Sequence, residues 1–184
     1  MLEHETRALH EALTKTLETQ HNSITKCVEM MSSCLQVGGK ILVCGNGGSA
    51  SQAQHFSAEL VVRFKENRKA LASIALNTDS SILTACGNDF SFHDIFARQV
   101  EALASNKDVL LCLSTSGNSP NVVKAAEKAK ALGTKVIAFT GQKDSALESH
   151  ANTVIKVQSL ETSRIQEIHL FLIHHCADVL ESSS

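Results

Sequence analysis

Polar and apolar positions along the 184-residue chain form two kinds of segment, long amphipathic stretches and short apolar runs. Apolar side chains recur at spacings of three, four or seven between residues 3 and 36, which predicts a long helix ended by Gly38-Gly39. The segments 40–44 and 108–113, apolar throughout after their first residues Lys40 and Asp108, are typical of strands covered on both faces. Each run passes into a glycine- or serine-rich stretch and then into another helical pattern.

The remaining segments continue this alternation of strands and helices. Pro120, the only proline, sits where the first turn of a helix accepts one. Further helices are predicted at 49–65, at two places between 79 and 104, from Pro120 to 132 and at 161–181, and further strands at 73–76, 135–139 and 153–157. Strands separated by helices predict one α/β domain, a three-layer sandwich in which a parallel sheet is flanked by helices, as in flavodoxin-like and Rossmann-like folds. Within it, 1–37 is the N-terminal helical region, expected to pack in an oligomer, and 38–184 is the α/β core.

Composition excludes several classes of function. The chain has 17 basic and 19 acidic residues and contains neither Trp nor Tyr, so it offers no basic surface for a phosphate backbone and few rings for base stacking. No apolar run approaches the ~20 residues that span a bilayer, and the first residues carry acids instead of an apolar signal segment. We expect a cytoplasmic protein that binds neither nucleic acid nor membrane.

The six cysteines are poor candidates for chemistry. They form no Cys-x-x-Cys pair, and Cys44 and Cys112 fall inside the apolar strand runs. We expect reduced, buried thiols that pack as small hydrophobic side chains. Any metal site would then involve some of the nine histidines instead.

Two loops at strand ends are candidate anion sites. Residues 45–49 (Gly-Asn-Gly-Gly-Ser) and 114–120 each follow a strand and open a helix, so they present backbone N–H groups and a positive helix end. The second loop adds four hydroxyl groups, and neither loop contains the Gly-Lys-Ser or Gly-Lys-Thr of an ATPase P-loop. This pattern favours a phosphate monoester over a triphosphate. The same residue types are also ordinary turn and helix-cap formers.

The first loop also matches a loose dinucleotide-binding pattern. Gly45, Gly47 and Ala50 satisfy Gly-x-Gly-x-x-Ala, which requires an acidic residue at the end of the second strand. Glu66 instead lies in a polar patch, and the next predicted strand ends at 76–77. The sequence therefore does not favour a nicotinamide cofactor.

A polar constellation on two helices is the second candidate feature. His55 and Glu59, four residues apart, share one face of the helix that starts at the glycine loop, and Gln166 and His174 point toward one space from the last helix. Two His, one Glu and one Gln are able to ligate a divalent metal. Alternatively, Glu59 and His174 form a base and acid pair, or all four residues make ordinary polar contacts on helix surfaces. Spacing alone leaves these alternatives open.

Five ordered motifs resemble the phosphoheptose isomerase family of sugar isomerase (SIS) domains, over about residues 10–180. They are Cys-Gly-Asn-Gly-Gly-Ser-Ala at 44–50, His-Phe-x-x-Glu-Leu at 55–60, Gly-Asn-Asp-Phe at 87–90, Ser-Thr-Ser-Gly-Asn-Ser at 114–119 and Arg-Ile-Gln-Glu-x-His at 164–169. The resemblance implies an aldose-ketose isomerase that converts sedoheptulose 7-phosphate to D-glycero-D-manno-heptose 7-phosphate through an enediol. It further implies a first step toward the heptose of lipopolysaccharide or other surface glycans.

The resemblance also implies roles for individual residues. Glu59 would take the C1 proton and His174 would exchange protons with the sugar oxygens, while Arg63 would reach the active site of a neighbouring subunit in a homotetramer. Residues expected to hold the phosphate are Ser114, Thr115, Ser116 and Ser119. Residues expected to contact the rest of the substrate are Asn46, Gly47, Gly48, Ser49, Glu59, Asn88, Asp89 and Gln166.

Zinc, one ion per subunit, is the cofactor that the resemblance implies. Its ligands would be His55, Glu59, Gln166 and His174. A group whose lone pair binds zinc is not free to accept a proton, so two roles for the metal stay open at this point. Zinc could polarise the substrate carbonyl as a Lewis acid, or it could order the site.

A non-catalytic phosphosugar sensor or replication-initiator-associating protein on the same fold is the rival interpretation. The relative of that kind lacks the catalytic Glu and His, whereas this chain has both Glu59 and His174. The chain departs from the family pattern at 69–72, where Lys-Ala-Leu-Ala replaces a stretch that usually contains proline. This departure affects a loop and a strand entry and no expected catalytic position.

Overall fold

The computed structural model describes residues 2–183, which form one five-stranded parallel sheet between two layers of helices. The strands are β1 (Ile41–Gly45), β2 (Ser73–Ala75), β3 (Val109–Leu113), β4 (Lys135–Gly141) and β5 (Thr153–Val157). The α-helices are α1 (Leu2–Gln36), α2 (Gly48–Val61), α3 (Ser80–Asp89), α4 (Ala97–Leu103), α5 (Pro120–Ala131) and α6 (Thr162–Ser182), with short 3₁₀ helices at Phe92–Asp94 and Ala146–Ser149. The predicted three-layer α/β class is confirmed.

Side chains of the central strands alternate between two apolar cores. Val43 and Leu111 belong to the core under α1, α2 and α6, whereas Leu42 and Leu110 belong to the core under α3, α4 and α5. This alternation follows from the two-residue period of a strand, and it requires apolar residues at every position of a strand covered on both faces. The continuous apolar runs in the sequence meet this requirement.

The strand order places a crevice between the two loops that the sequence singled out. The order is β2-β1-β3-β4-β5, so the chain leaves β1 toward one edge of the sheet and leaves β3 toward the other. Gly45 at the end of β1 is in register with Leu113 at the end of β3. In open parallel sheets, ligands bind at such a switch point, outside the carboxyl ends of the strands.

Element boundaries agree closely with the predictions except at the end of α2. The sequence pattern predicts a helix to residue 65, but the helix ends at Val61. The N–H groups of Phe64, Lys65 and Glu66 donate to the carboxylate of Glu181 on α6 instead of to helix carbonyls. Local periodicity does not reveal this contact, because its partner lies more than a hundred residues away.

The cysteine prediction is also confirmed. All six cysteines are free and buried, and Cys44 is in register with Cys112 on the neighbouring strand. The hydrogen bond with the neighbouring Cys44 thiol, together with burial, raises the pKa of Cys112 well above its ordinary value. The six buried cysteines serve as packing groups.

Helix α1 packs against its own chain along much of its apolar face. Ile24, Cys27, Val28 and Met31 are buried against β5, α6 and neighbouring strands. The division into an oligomer-packing region at 1–37 and a core at 38–184 stays a prediction. Among the described residues, no helix combines the length and the apolar character that crossing a bilayer requires.

Candidate active site

Helices α2 and α6 bring three polar side chains together. The Nε2 atoms of His55 and His174 lie 2.8 Å apart, and His55 Nε2 lies 3.2 Å from Glu59 Oε1. The four-residue spacing of His55 and Glu59 places both on the face of α2 that meets α6. Of the four residues in the predicted constellation, these three form one compact cluster in which the possible ligand atoms lie within 4.8 Å of one another.

The surroundings of the cluster keep His174 uncharged. Partial burial lowers the pKa of His174, the neighbouring His55 lowers it further, and Glu59 acts in the opposite direction. The Phe64 ring covers the imidazole in a stacked arrangement, with ring centroids 5.6 Å apart and planes inclined by 25°. A neutral imidazole has a free ring-nitrogen lone pair for a proton or for a metal ion.

Gln166, near the beginning of α6, reaches the start of α2, ahead of His55 and Glu59. Its side-chain amide lies against Gly48, where an added Cβ would come within 2.7 Å of Oε1, so only glycine allows this approach. Gln52 on α2 donates from Nε2 to the Gln166 carbonyl at 2.6 Å. Gly48 therefore leaves room for the Gln166 amide beside the start of α2.

The residues present fit a zinc ion by their chemistry. Two imidazole nitrogens and one carboxylate oxygen converge at His55, Glu59 and His174. Histidine nitrogen and carboxylate oxygen are established zinc ligands, and three protein ligands leave a position open for substrate or for a weaker fourth ligand. Gln166 lies against Gly48 at the start of α2, and its part in a ligand set stays a prediction. The three converging donors therefore fit a zinc ion by their chemistry.

The serine-rich loop after β3 is built to expose donors. Ser114 is buried, and its Oγ accepts from Gly117 N–H at 3.1 Å and contacts Ser119 Oγ at 3.2 Å. Gly117 has φ of +63°, and an added Cβ would collide with Ser145. In the part of the chain that the structure describes, the backbone N–H groups of Thr115 and Ser116 have no acceptor. Free N–H groups at the start of a helix form a site for an anion.

A reciprocal pair of side-chain amides joins the first loop to α5, the helix that follows the second loop. Asn46 Nδ2 donates to Asn121 Oδ1 at 2.8 Å, and Asn121 Nδ2 donates back to Asn46 Oδ1 at 2.9 Å. Asn121 is 1% exposed, and its Oδ1 also accepts from Val122 N–H. The pair fixes the first loop relative to the helix that follows the second.

Sequence reasoning missed Asn121 and Phe64. Asn121 follows Pro120 directly at the start of α5, and a polar residue there was the one available signal. Phe64 had no signal, because its contact with His174 depends on the irregular segment after α2. The structure adds both residues to the site as supporting groups.

Three predicted substrate contacts lie away from the cluster within this chain. Asn88 and Asp89 are exposed at the end of α3, where Asn88 Nδ2 donates to Asp89 Oδ1. Arg63 is exposed just beyond α2, and its guanidinium donates to Asn67 Oδ1 at 3.2 Å. Within residues 2–183, none of these three side chains forms a hydrogen bond or ion pair with His55, Glu59 or His174. Ser49, by contrast, is buried at the first turn of α2.

Comparison with known proteins supplies a family context for this geometry. Residues 6–141 match the SIS domain family. The phosphoheptose isomerase of Helicobacter pylori strain P12 is 47% identical, over 98% of this chain and 94% of the relative. Phosphoheptose isomerase 1 of Campylobacter jejuni strain NCTC 11168 is also 47% identical, over 95% of this chain and 94% of the relative.

Solved structures show the same similarity. The phosphoheptose isomerase of Neisseria gonorrhoeae superposes with a TM-score of 0.91 at 39% identity, over 99% of this chain and 100% of the other. The enzyme of Francisella tularensis gives 0.94 at 38% identity, over 98% and 96% of the two chains. The Vibrio vulnificus NanR protein, solved with ManNAc-6P, gives 0.72 at 16% identity over 99% of this chain and 62% of its own, a likeness of fold alone.

Proposed function

The chain belongs to the phosphoheptose isomerase family of SIS domains, and from that membership we propose which of its residues carry the family's reaction. It is an aldose-ketose isomerase that converts sedoheptulose 7-phosphate to D-glycero-D-manno-heptose 7-phosphate. The observation that carries the assignment of roles is the cluster of His55, Glu59 and His174, formed by α6 and by the helix that starts at the first strand-end loop.

The phosphate group belongs in the loop after β3. The free N–H groups of Thr115 and Ser116, the hydroxyls of Ser116 and Ser119 and the start of α5 together offer donors to its oxygens. Ser114 stabilises the conformation of this loop, because its hydroxyl accepts from Gly117 N–H and contacts Ser119 Oγ. With the phosphate held there, the sugar chain extends across the switch point, past Asn46, Gly47 and Gly48, toward the cluster.

Glu59 and His174 carry the protons. The Glu59 carboxylate removes a proton from C1, and His174 moves the hydroxyl proton of O1 to O2, so that the enediol intermediate forms as its O1 anion and then collapses. Glu59 returns its proton to C2, which leaves an aldehyde at C1 and a hydroxyl at C2 with no net gain or loss of electrons. A general acid or base of this kind contributes ~10²- to 10⁴-fold to the rate.

His55, Glu59, Gln166 and His174 are the residues that would hold a zinc ion. When bound, zinc supplies a Lewis acid that polarises a carbonyl oxygen. Glu59 and His174 would then alternate between binding the ion and transferring protons. His55 and Gln166, which have no proposed proton to carry, are suited to be the constant ligands.

We also propose the wider setting of the enzyme. It works in the cytoplasm as a homotetramer, in which Arg63 of one subunit enters the site of a neighbour, and its product feeds the heptose of lipopolysaccharide or other surface glycans. The exposed position of Arg63 supports a role outside its own subunit. Light scattering of the purified protein, followed by comparison with an Arg63→Gln variant, tests both the assembly and the shared site.

Incubation with sedoheptulose 7-phosphate tests the activity directly. We expect formation of an aldose phosphate, followed by NMR of the C1 and C2 positions in deuterated water. Solvent deuterium should appear at C2 of the product whenever the Glu59 proton exchanges before it is returned. Tight binding of the phosphosugar without turnover would instead fit the sensor interpretation.

A further inference from the structure

We propose that Arg68 and Glu181 are positioning residues of the isomerase, which together hold the His55–Glu59 face of α2 against His174 of α6. The inference rests on the roles proposed above for Glu59 and His174. Neither Arg68 nor Glu181 lies in the cluster itself. Their side chains are 7% and 5% exposed and form a buried ion pair, with Arg68 Nε 3.2 Å from Glu181 Oε1.

Arg68 caps the C-terminal end of α2 by binding backbone carbonyls, including that of Glu59. Its Nη2 donates to the carbonyl of Glu59 at 2.7 Å, and its Nη1 donates to the carbonyls of Leu60 at 2.8 Å and Lys69 at 3.1 Å. The last carbonyls of a helix have no partner inside it, and here the planar guanidinium takes two of them. The backbone of Glu59 is therefore tied to the same cation that pairs with α6.

Glu181 holds the segment that follows α2. Its two oxygens accept the N–H groups of Phe64 at 3.0 Å, Lys65 at 2.8 Å and Glu66 at 3.0 Å. Burial raises the pKa of this carboxyl, but the three N–H donors and Arg68 outweigh burial and bring the pKa to about 2. The group is therefore a carboxylate at neutral pH and accepts all of these hydrogen bonds at once.

The pair connects to His174 through Phe64. Glu181 and His174 are seven residues apart on α6, close to two helical turns, so both face α2. Because Glu181 holds the Phe64 N–H, the Phe64 ring is kept against the His174 imidazole. Releasing the pair frees the α2 end and this ring together, and a displacement of 1 Å at reacting groups costs ~10²-fold in rate.

A second buried carboxylate, Asp108 at the amino-terminal end of the central strand β3, provides a matched control. Asp108 accepts from the backbone N–H groups of Lys40 and Ser105, from Lys40 Nζ and from Ser105 Oγ, at 2.7–2.8 Å. It precedes β3, and its hydrogen-bond partners Lys40 and Ser105 belong to neither α2 nor α6. Asp108→Asn therefore removes a comparable network without touching the site.

The experiment compares Glu181→Gln with Asp108→Asn at a temperature well below both unfolding midpoints. We expect both variants to lose stability, but only Glu181→Gln to lose kcat, by at least ~10-fold, with KM for sedoheptulose 7-phosphate within ~2-fold of wild type, because the phosphate loop lies on other elements. Equal kcat for Glu181→Gln and wild type overturns the proposal, and so does an equal loss in both variants.

Arg68→Lys gives a second test that keeps the buried positive charge but replaces the planar fork by a single ammonium. We expect kcat to fall in the order wild type, Arg68→Lys, Arg68→Met, while the far-ultraviolet spectrum is retained. Wild-type activity in Arg68→Lys and Arg68→Met, with Glu59→Gln inactive, overturns the positioning role and leaves the proposed function intact. A wild-type chain without isomerase activity overturns both.

Discussion

His55 Nε2 lies 2.8 Å from His174 Nε2, so the two rings meet through the same kind of nitrogen. Without a metal, one ring must donate its N–H to the lone pair of the other, which fixes opposite tautomers in the two rings. A bound metal ion would instead need a lone pair from each ring, which would put both ring protons on Nδ1.

The first prediction concerns zinc. We expect the purified enzyme to retain about one zinc ion per chain after dialysis, and His55→Ala and His174→Gln to lose most of it, because each removes a converging nitrogen. His21→Ala, an exposed histidine on α1, is the matched control and should keep the metal. Metal analysis by mass spectrometry checks this. A metal-free wild type with chelator-insensitive activity would contradict the assignment.

The second prediction concerns the two proton-carrying groups. Glu59→Gln and His174→Gln should each lower kcat by at least ~10²-fold, because each variant keeps a polar side chain but cannot exchange the proton. Glu127→Gln, an exposed glutamate on α5, should retain wild-type kcat. Steady-state kinetics and circular dichroism together separate loss of chemistry from loss of fold. Near-normal turnover in either site variant removes that residue from the mechanism.

How well the sequence predicts this site depends on how far apart along the chain the contacting residues lie. The pairing of His55 with Glu59 follows from helical periodicity within one element, and the strand-end loops follow from apolar runs that stop at glycine and serine. The approach of His174 to His55 depends on how α2 packs on α6, which spacing does not encode. Local patterns therefore identified the candidate residues but not their contact.

Long-range polar contacts account for what the sequence did not predict. The early end of α2 depends on Glu181, more than a hundred residues away, and the link between the two loops depends on Asn121. Each of these groups is a buried polar side chain, which costs free energy unless its partners are in place. A single sequence shows the polar residue but not the partners, so these positions resemble ordinary surface residues until the chain is folded.

The third prediction concerns phosphate recognition by the loop after β3. Ser116→Ala should raise KM for sedoheptulose 7-phosphate about 10-fold and leave kcat within about 2-fold, because the phosphate is bound equally in the ground and transition states. Inhibition by inorganic phosphate should weaken in parallel. Ser149→Ala removes an exposed hydroxyl that bonds only the Ala146 carbonyl, and it should change neither value.

Ser114→Ala separates loop architecture from direct binding. The Ser114 hydroxyl accepts from Gly117 N–H inside the loop, so its loss should lower thermal stability as well as raise KM. The Ser116 hydroxyl accepts from Asn118 N–H at 3.1 Å, but it is exposed whereas Ser114 is buried, so Ser116→Ala should lower the unfolding midpoint less than Ser114→Ala. If both variants raise KM with equal loss of stability, the distinction between a shaping and a binding hydroxyl is wrong.

The last prediction concerns acid stability and His169, a buried histidine of α6 packed near Phe139. Burial lowers its pKa from 6.5 to about 4, against the opposing effect of the Thr140 carbonyl, which lies 3.3 Å from Nε2. The unfolded chain binds a proton at this side chain below pH 6.5, whereas the folded chain does so only near pH 4. Stability from the neutral ring is therefore present above pH 6.5 and is lost as the pH falls to about 4, by up to about 3 kcal/mol.

His169→Phe isolates this contribution, because it keeps a ring in the core and removes the titration. Urea unfolding between pH 7 and pH 4 should show a shallower loss of stability for His169→Phe than for wild type, with the difference between the two curves growing below pH 6.5. His21→Ala, which alters an exposed histidine, should follow the wild-type curve. Parallel curves for His169→Phe and wild type would mean that the buried ring takes up its proton without unfolding. The acid sensitivity of the fold would then originate in its buried carboxylates, Asp108 and Glu181, whose pKa values are lowered in the folded chain.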